Sequence, residues 1–391
     1  VGVAGARLAF VVMLVAGCAG APLPARPSAA VTTPSPVVSV RLSCAMQVAQ
    51  AMSLEQRTGQ LFLMGLSGND LGTAERNAIR DSHVGSVWFT ETTSIGVAGV
   101  RAVTDAVQAE VTSQATSGVR FFVAANQEGG RIQALRVRGF STIPSALVQG
   151  GEPLDELERD AQAWGEELSA AGINLDFAPV ADVVPIANVT TNEPIGVLER
   201  EYGHDAATAG SHAAAFINGL AAAGVATTAK HFPGLGQVVG NTDFSSGVVD
   251  DVTTASDPSL GSFRATIEAG VPFVMVALAT YERIDPDRLA VFSPVVIRDL
   301  LRGDLGFSHI VMSDDLGDAV AVADIAVGDR AIDFLAAGGD MVVVKQATDA
   351  TAMAAAVRAL AADDPDFAGL VDAAALRVLK EKDSAGLLPC S

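Results

Sequence analysis

Eight short apolar runs punctuate the chain at fairly regular intervals. They are QLFLMGL (60–66), GSVWF (85–89), VRFFVAAN (119–126), NLDFAPVAD (174–182), VATTAKHF (225–232), FVMVALA (273–279), HIVMSDD (309–315) and DMVVVK (340–345). Each is continuous rather than alternating, the pattern of a strand buried on both faces. Between them lie segments of helical period, such as PLDELERDAQAWGEELSAAG, DAATAGSHAAAFINGLAAAG and DRAIDFLAAGG. Several end in glycine, as helix C-termini prefer. Ser53 to Gln56, SLEQ, has the spacing of a capping box for the first helix. Eight strands alternating with helices predict an α/β protein, a single (β/α)8 TIM barrel. The competing architecture, an open doubly wound sheet, usually carries a glycine-rich phosphate loop after its first strand. Here that position reads SGNDLGTAERN, with no G-x-G-x-x-G or Walker pattern.

The first residues break this rhythm. One arginine, Arg7, precedes an apolar run from Leu8 to Ala16, and VAGC ends at Cys18. The run is too short to span a bilayer, so 1–17 is expected to be a signal peptide. VAGC resembles a bacterial lipobox, with Cys18 the lipidation site. Residues 19–40 hold five prolines and one charge. They cannot bury a core, so 18–43 reads as a lipid-anchored Pro/Ala-rich linker and 44–391 as the barrel domain. The protein is therefore expected to be an exported lipoprotein of the cell membrane, facing outward. Cys44 and Cys390 stand at the two ends of that domain, and an even pair in an exported protein suggests a disulfide.

Composition narrows the function. The net charge is −20 and there is no Lys/Arg-rich run. Nucleic acid needs basic patches, so it is excluded as a partner. The five histidines (83, 204, 212, 231 and 309) form no H-x-x-x-H pair, so no metal site or other cofactor is expected. No G-x-S-x-G elbow is present.

Polar residues gather instead at strand ends, where a barrel keeps its chemistry. Strand three ends in NQEGGR (Asn126 to Arg131), strand four carries Asp176 and Asp182, and strand five ends in KHFPG. Strand seven ends in SDD (Ser313 to Asp315) and strand eight in Lys345. Of the adjacent acids Asp314 and Asp315, one should point toward the barrel axis and the other away. Acids, amides and a Lys-His pair at one mouth suit a polyhydroxylated ligand, and a carboxylate there can attack an anomeric carbon.

Five stretches in order, NQEGGRIQAL, NLDFAPVADV, REYG, KHFPGLG and GFSHIVMSDDLGD, resemble the β-N-acetylglucosaminidases of glycoside hydrolase family 3. The resemblance covers roughly residues 50–345, and the lipobox and short C-terminus resemble its single-domain lipoprotein members. It implies that Asp314 is the nucleophile of a retaining exo-β-N-acetylglucosaminidase. Lys230 and His231 would bind sugar hydroxyls, with Arg200, Asn126 and Arg131 also on the substrate side. The implied substrate is a GlcNAc-containing muropeptide fragment from peptidoglycan, cut by a monomer.

Two departures stand out. The family usually has Asp where this chain has Asn126. Its Asp-x-His acid/base motif, DSH, falls here on Asn241, Thr242 and Asp243, and its other loop histidine falls on Leu235. No histidine occurs between His231 and His309. Asp243 is then the candidate acid/base, with Asp250 and Asp251 weaker. Three rival readings stay open: a phosphorylase, which an anionic acid/base disfavours by repelling phosphate; a β-glucosidase-like specificity; and a non-catalytic sugar-binding lipoprotein.

Overall fold

The computed structural model describes residues 1–2, 11–12, 16–22 and 42–390. It divides into two units, Val1–Arg41 and Leu42–Ser391. In the first, the described residues are neither helix nor strand, and Cys18 is free and exposed. Most of the expected signal peptide and linker lies outside the described residues.

The second unit is a parallel barrel. Its strands are β1 (Phe62–Leu66), β2 (Ser86–Phe89), β3 (Phe122–Ala125), β4 (Leu175–Asp176), β5 (Ala226–Phe232), β6 (Phe273–Val276), β7 (Ile310–Ser313) and β8 (Val342–Val344). They follow one another in chain order around the sheet, and β8 pairs with β1 at Phe62↔Val342 to Met64↔Val344. Between β7 and β8 there is a single bridge, Met312↔Met341, and the Ser313 side chain supplies what the ladder lacks: Val343 N–H donates to Ser313 Oγ at 3.0 Å. The eight apolar runs thus become the eight strands. Strand four is much shorter than its run, because Pro179 has no N–H to donate and the chain turns there.

Helices follow the strands as the periodicity predicts. The Ser53–Gln56 capping box closes in both directions, with Gln56 N–H on Ser53 Oγ and Ser53 N–H on Gln56 Oε1. The helix Val327–Ala337 ends on Gly338 at φ 108°, a conformation that suits glycine alone. The connection between β6 and β7 is instead a π-helix, Val295–Asp304.

The bottom of the barrel is closed by the last helix, Pro365–Ser384. Lys382, fully buried, donates to Gln60 Oε1 and to Gly85 O, both at 2.7 Å, just ahead of β1 and β2. Burial pulls its pKa down to about 7. The first helix, Cys44–Ala51, packs on the same element, and Cys44 and Cys390 are joined by a disulfide with Cα atoms 6.0 Å apart.

Candidate active site

At the opposite end of the barrel, the strand ends surround a cavity of about 550 Å³. Its wall includes Asn126, Arg200, Lys230, His231, Asp243 and Asp314. Of the residues expected on the substrate side, only Arg131 does not line it. Gly129 and Gly130, both at positive φ, turn the chain into a tight hairpin (Gln127–Gly129 with Ile132–Gln133). Ile132 enters the cavity wall, whereas Arg131, in the turn of the hairpin, is exposed and does not line the cavity.

One wall is a charged grid. Glu128, 4% exposed, takes both Arg200 Nε and Arg200 Nη2 at 2.8 Å and Lys230 Nζ at 2.6 Å. Burial alone would raise the Glu128 pKa. Arg200 and Lys230 outweigh it and hold the group at about 2. Lys230 Nζ also donates to Asn126 Oδ1 at 2.7 Å. Two of its three donors are then used, and one remains for a ligand. The same bond fixes the Asn126 amide with its oxygen toward Lys230. Asn126 therefore offers N–H to the cavity, where an aspartate would offer oxygen.

His231 is set by Asp182, a fully buried carboxylate at the end of the fourth apolar run. Asp182 Oδ2 lies 2.7 Å from His231 Nδ1, and its Oδ1 accepts the backbone N–H groups of His231 and Leu235. A carboxylate only accepts, so Nδ1 carries a proton. Nε2 faces Arg200 Nη2 at 3.4 Å and is left as acceptor.

Asp314 and Asp315, just past the end of β7, both line the cavity but are engaged differently. Asp315 accepts N–H groups from Gly317 and Asp318, in the turn after β7, and from Lys345, just past the end of β8. Burial lifts its pKa to about 6 against those bonds. Asp314 Oδ1 accepts only the Asp315 N–H, and Oδ2 accepts no hydrogen bond from the described residues. That oxygen is available to a reacting atom.

Asp243 reaches the cavity from the β5 loop, which is braced on three sides. Asn192 Nδ2 donates to Leu235 O and Val238 O, Tyr281 Oη to Gly234 O, and Val320 and Ala321 N–H to Asp243 O and Thr242 O. The Asp243 carboxyl is exposed at the rim by area, yet protein atoms crowd it. That partial burial, then the charge of Asp314, pushes its pKa up, more than Arg200 and Lys230 pull it down. Of the other two loop acids considered, Asp251 does not line the cavity, and Asp250 is buried, its carboxylate taken by Val252 N–H, Thr253 N–H and Thr253 Oγ. Asp250 does not line the cavity either.

Sequence reasoning missed Glu128 and the partnership of Asp182 with His231. Asn126 and Glu128 are two residues apart at a strand end, so a shared face was a usable signal for the first.

A barrel whose mouth sets a carboxylate against a grid of hydrogen-bond donors is the arrangement of a glycoside hydrolase. Residues 53–380 match the family described as "Glycosyl hydrolase family 3 N terminal domain". The chain belongs to glycoside hydrolase family 3 and, within it, to the β-N-acetylhexosaminidase group. It is 34% identical to a beta-hexosaminidase of Stenotrophomonas maltophilia over 301 residues, 73% of this chain and 83% of that one. Among solved structures it is similar to a beta-N-acetylhexosaminidase from Beutenbergia cavernae, with 49% identity and TM-score 0.84, over 85% of this chain and 99% of that one. It is also similar to M tuberculosis LpqI, with 25% identity and TM-score 0.73, over 87% and 96%.

Proposed function

We propose that this protein is a retaining exo-β-N-acetylglucosaminidase that releases terminal GlcNAc from peptidoglycan-derived fragments. The observation that carries the reading is the placement of Asp314 and Asp243 in one cavity with the Asn126–Lys230–Arg200 grid. The grid donates to ring hydroxyls and the acetamido oxygen. Asp314 attacks the anomeric carbon, and the bond to the leaving oxygen breaks as Asp243 gives that oxygen its proton. The ester removes the negative charge of Asp314, and with it one cause of the raised Asp243 pKa. Its pKa falls, so Asp243 stays ionised after giving up its proton and can take one from the water that cleaves the ester.

Product analysis tests this. Aryl β-GlcNAc and aryl β-glucoside are incubated with and without phosphate, and the products followed by NMR. The expected result is preference for β-GlcNAc, with β-configured GlcNAc appearing first in both buffers. Sugar 1-phosphate would establish a phosphorylase, glucoside preference a glucosidase, and binding without turnover a sugar-binding protein.

We also propose that Cys18 carries a lipid anchor that holds the enzyme outside the cell membrane. The VAGC sequence and the free, exposed thiol support it. Expression of a Cys18→Ala chain should move the activity from the membrane fraction to the soluble one; unchanged membrane retention would refute the anchor.

A further inference from the structure

Phe244 is 78% exposed and is the one aromatic among the exposed large apolar side chains of the described residues. It also lines the catalytic cavity. Its place is not that of a stray surface ring. Phe244 N–H closes a turn onto Asn241 O at 3.0 Å, and the residues just before it are held by the Val320 and Ala321 N–H groups. The ring is thus presented on a braced loop at the mouth.

Chemistry says what must lie beside it. A general acid has to reach the oxygen of the bond being cut. The sugar being released occupies the grid side of that oxygen, and the leaving group occupies the rim side. Phe244 follows the acid directly in the chain, on the exposed side of the loop. A pyranose ring presents a face of C–H groups, and the face of an aromatic ring is electron-rich, so the two stack well. A leaving group without such a face would gain little there.

We propose that Phe244 is the platform for the leaving group, and that the position beside Asp243 takes a second pyranose ring. The preferred substrates are then GlcNAc β-linked to another sugar rather than to a small alcohol. This inference rests on the glycosidase reading above and adds a specificity-determining residue to it.

The test compares wild type, Phe244→Ala and Phe244→Trp on two substrates. One is the disaccharide N,N′-diacetylchitobiose. The other is GlcNAc β-fluoride, whose leaving group has no ring and needs no acid. Phe244→Ala should lower kcat/KM for the disaccharide about tenfold and leave the fluoride within about twofold, while Phe244→Trp keeps both. The side chain is exposed, so folding is not at stake. Equal losses on both substrates, or no loss on either, would overturn the platform while leaving the glycosidase reading intact. A wild type inert to both would overturn both readings.

Discussion

Asp314→Asn is expected to abolish turnover, with kcat falling at least about 10⁴-fold, or ~5.5 kcal/mol of barrier. Asparagine keeps the size of the side chain and an oxygen for the Asp315 N–H. What it loses is the anionic oxygen that would form the proposed ester, the one that accepts no hydrogen bond from the described residues. Stability should change little, because no buried ion pair is broken. The control is Asp315→Asn, whose carboxylate is engaged by three backbone N–H groups. It should lower thermal stability more than it lowers the rate constant of properly folded enzyme. Near-normal kcat in Asp314→Asn, measured by active-site titration, would place the nucleophile elsewhere.

Asp243→Gly should separate substrates by their leaving groups. Where the leaving oxygen needs a proton, as with an alkyl or sugar aglycone, kcat/KM should fall about 10²- to 10⁴-fold. An activated aryl group leaves unaided and should suffer far less in the first step. Azide is small, needs no base to attack and fits where the carboxyl was, so it should restore turnover and yield β-glycosyl azide. The pH profile gives a second readout. In wild type the acid must be protonated, so the rate falls as pH rises through a pKa that lies above the ordinary carboxylate range, because of partial burial and the Asp314 charge. In Asp243→Gly acting on an activated substrate, that alkaline limb should flatten. Wild-type rates on a poor leaving group would end the assignment of Asp243.

The barrel was legible because its strands are buried on both faces, so that FLMGL, FVMV and VVV stand out as unbroken apolar runs. Strand ends were legible for the same reason, since a polar residue closing such a run points to the mouth. What stayed hidden depends on contacts across the sequence. Glu128 meets Arg200 from 72 positions away, and His231 meets Asp182 from 49, and no local pattern announces either pairing. Arg131 is carried by the turn of a two-glycine hairpin, so the strand that precedes it does not set its direction. The bracing of the β5 loop comes from Asn192, Tyr281 and the segment after β7, all distant in the chain.

The bond between Cys44 and Cys390, 346 positions apart, gives the catalytic domain the topology of a ring. A protease that cuts one exposed loop opens that ring but releases no fragment, because both new ends remain covalently tied through the sulfurs. The nicked molecule keeps its ends in register beneath the barrel, at the face remote from the cavity. Two cuts, rather than one, are needed to set a piece of this domain free.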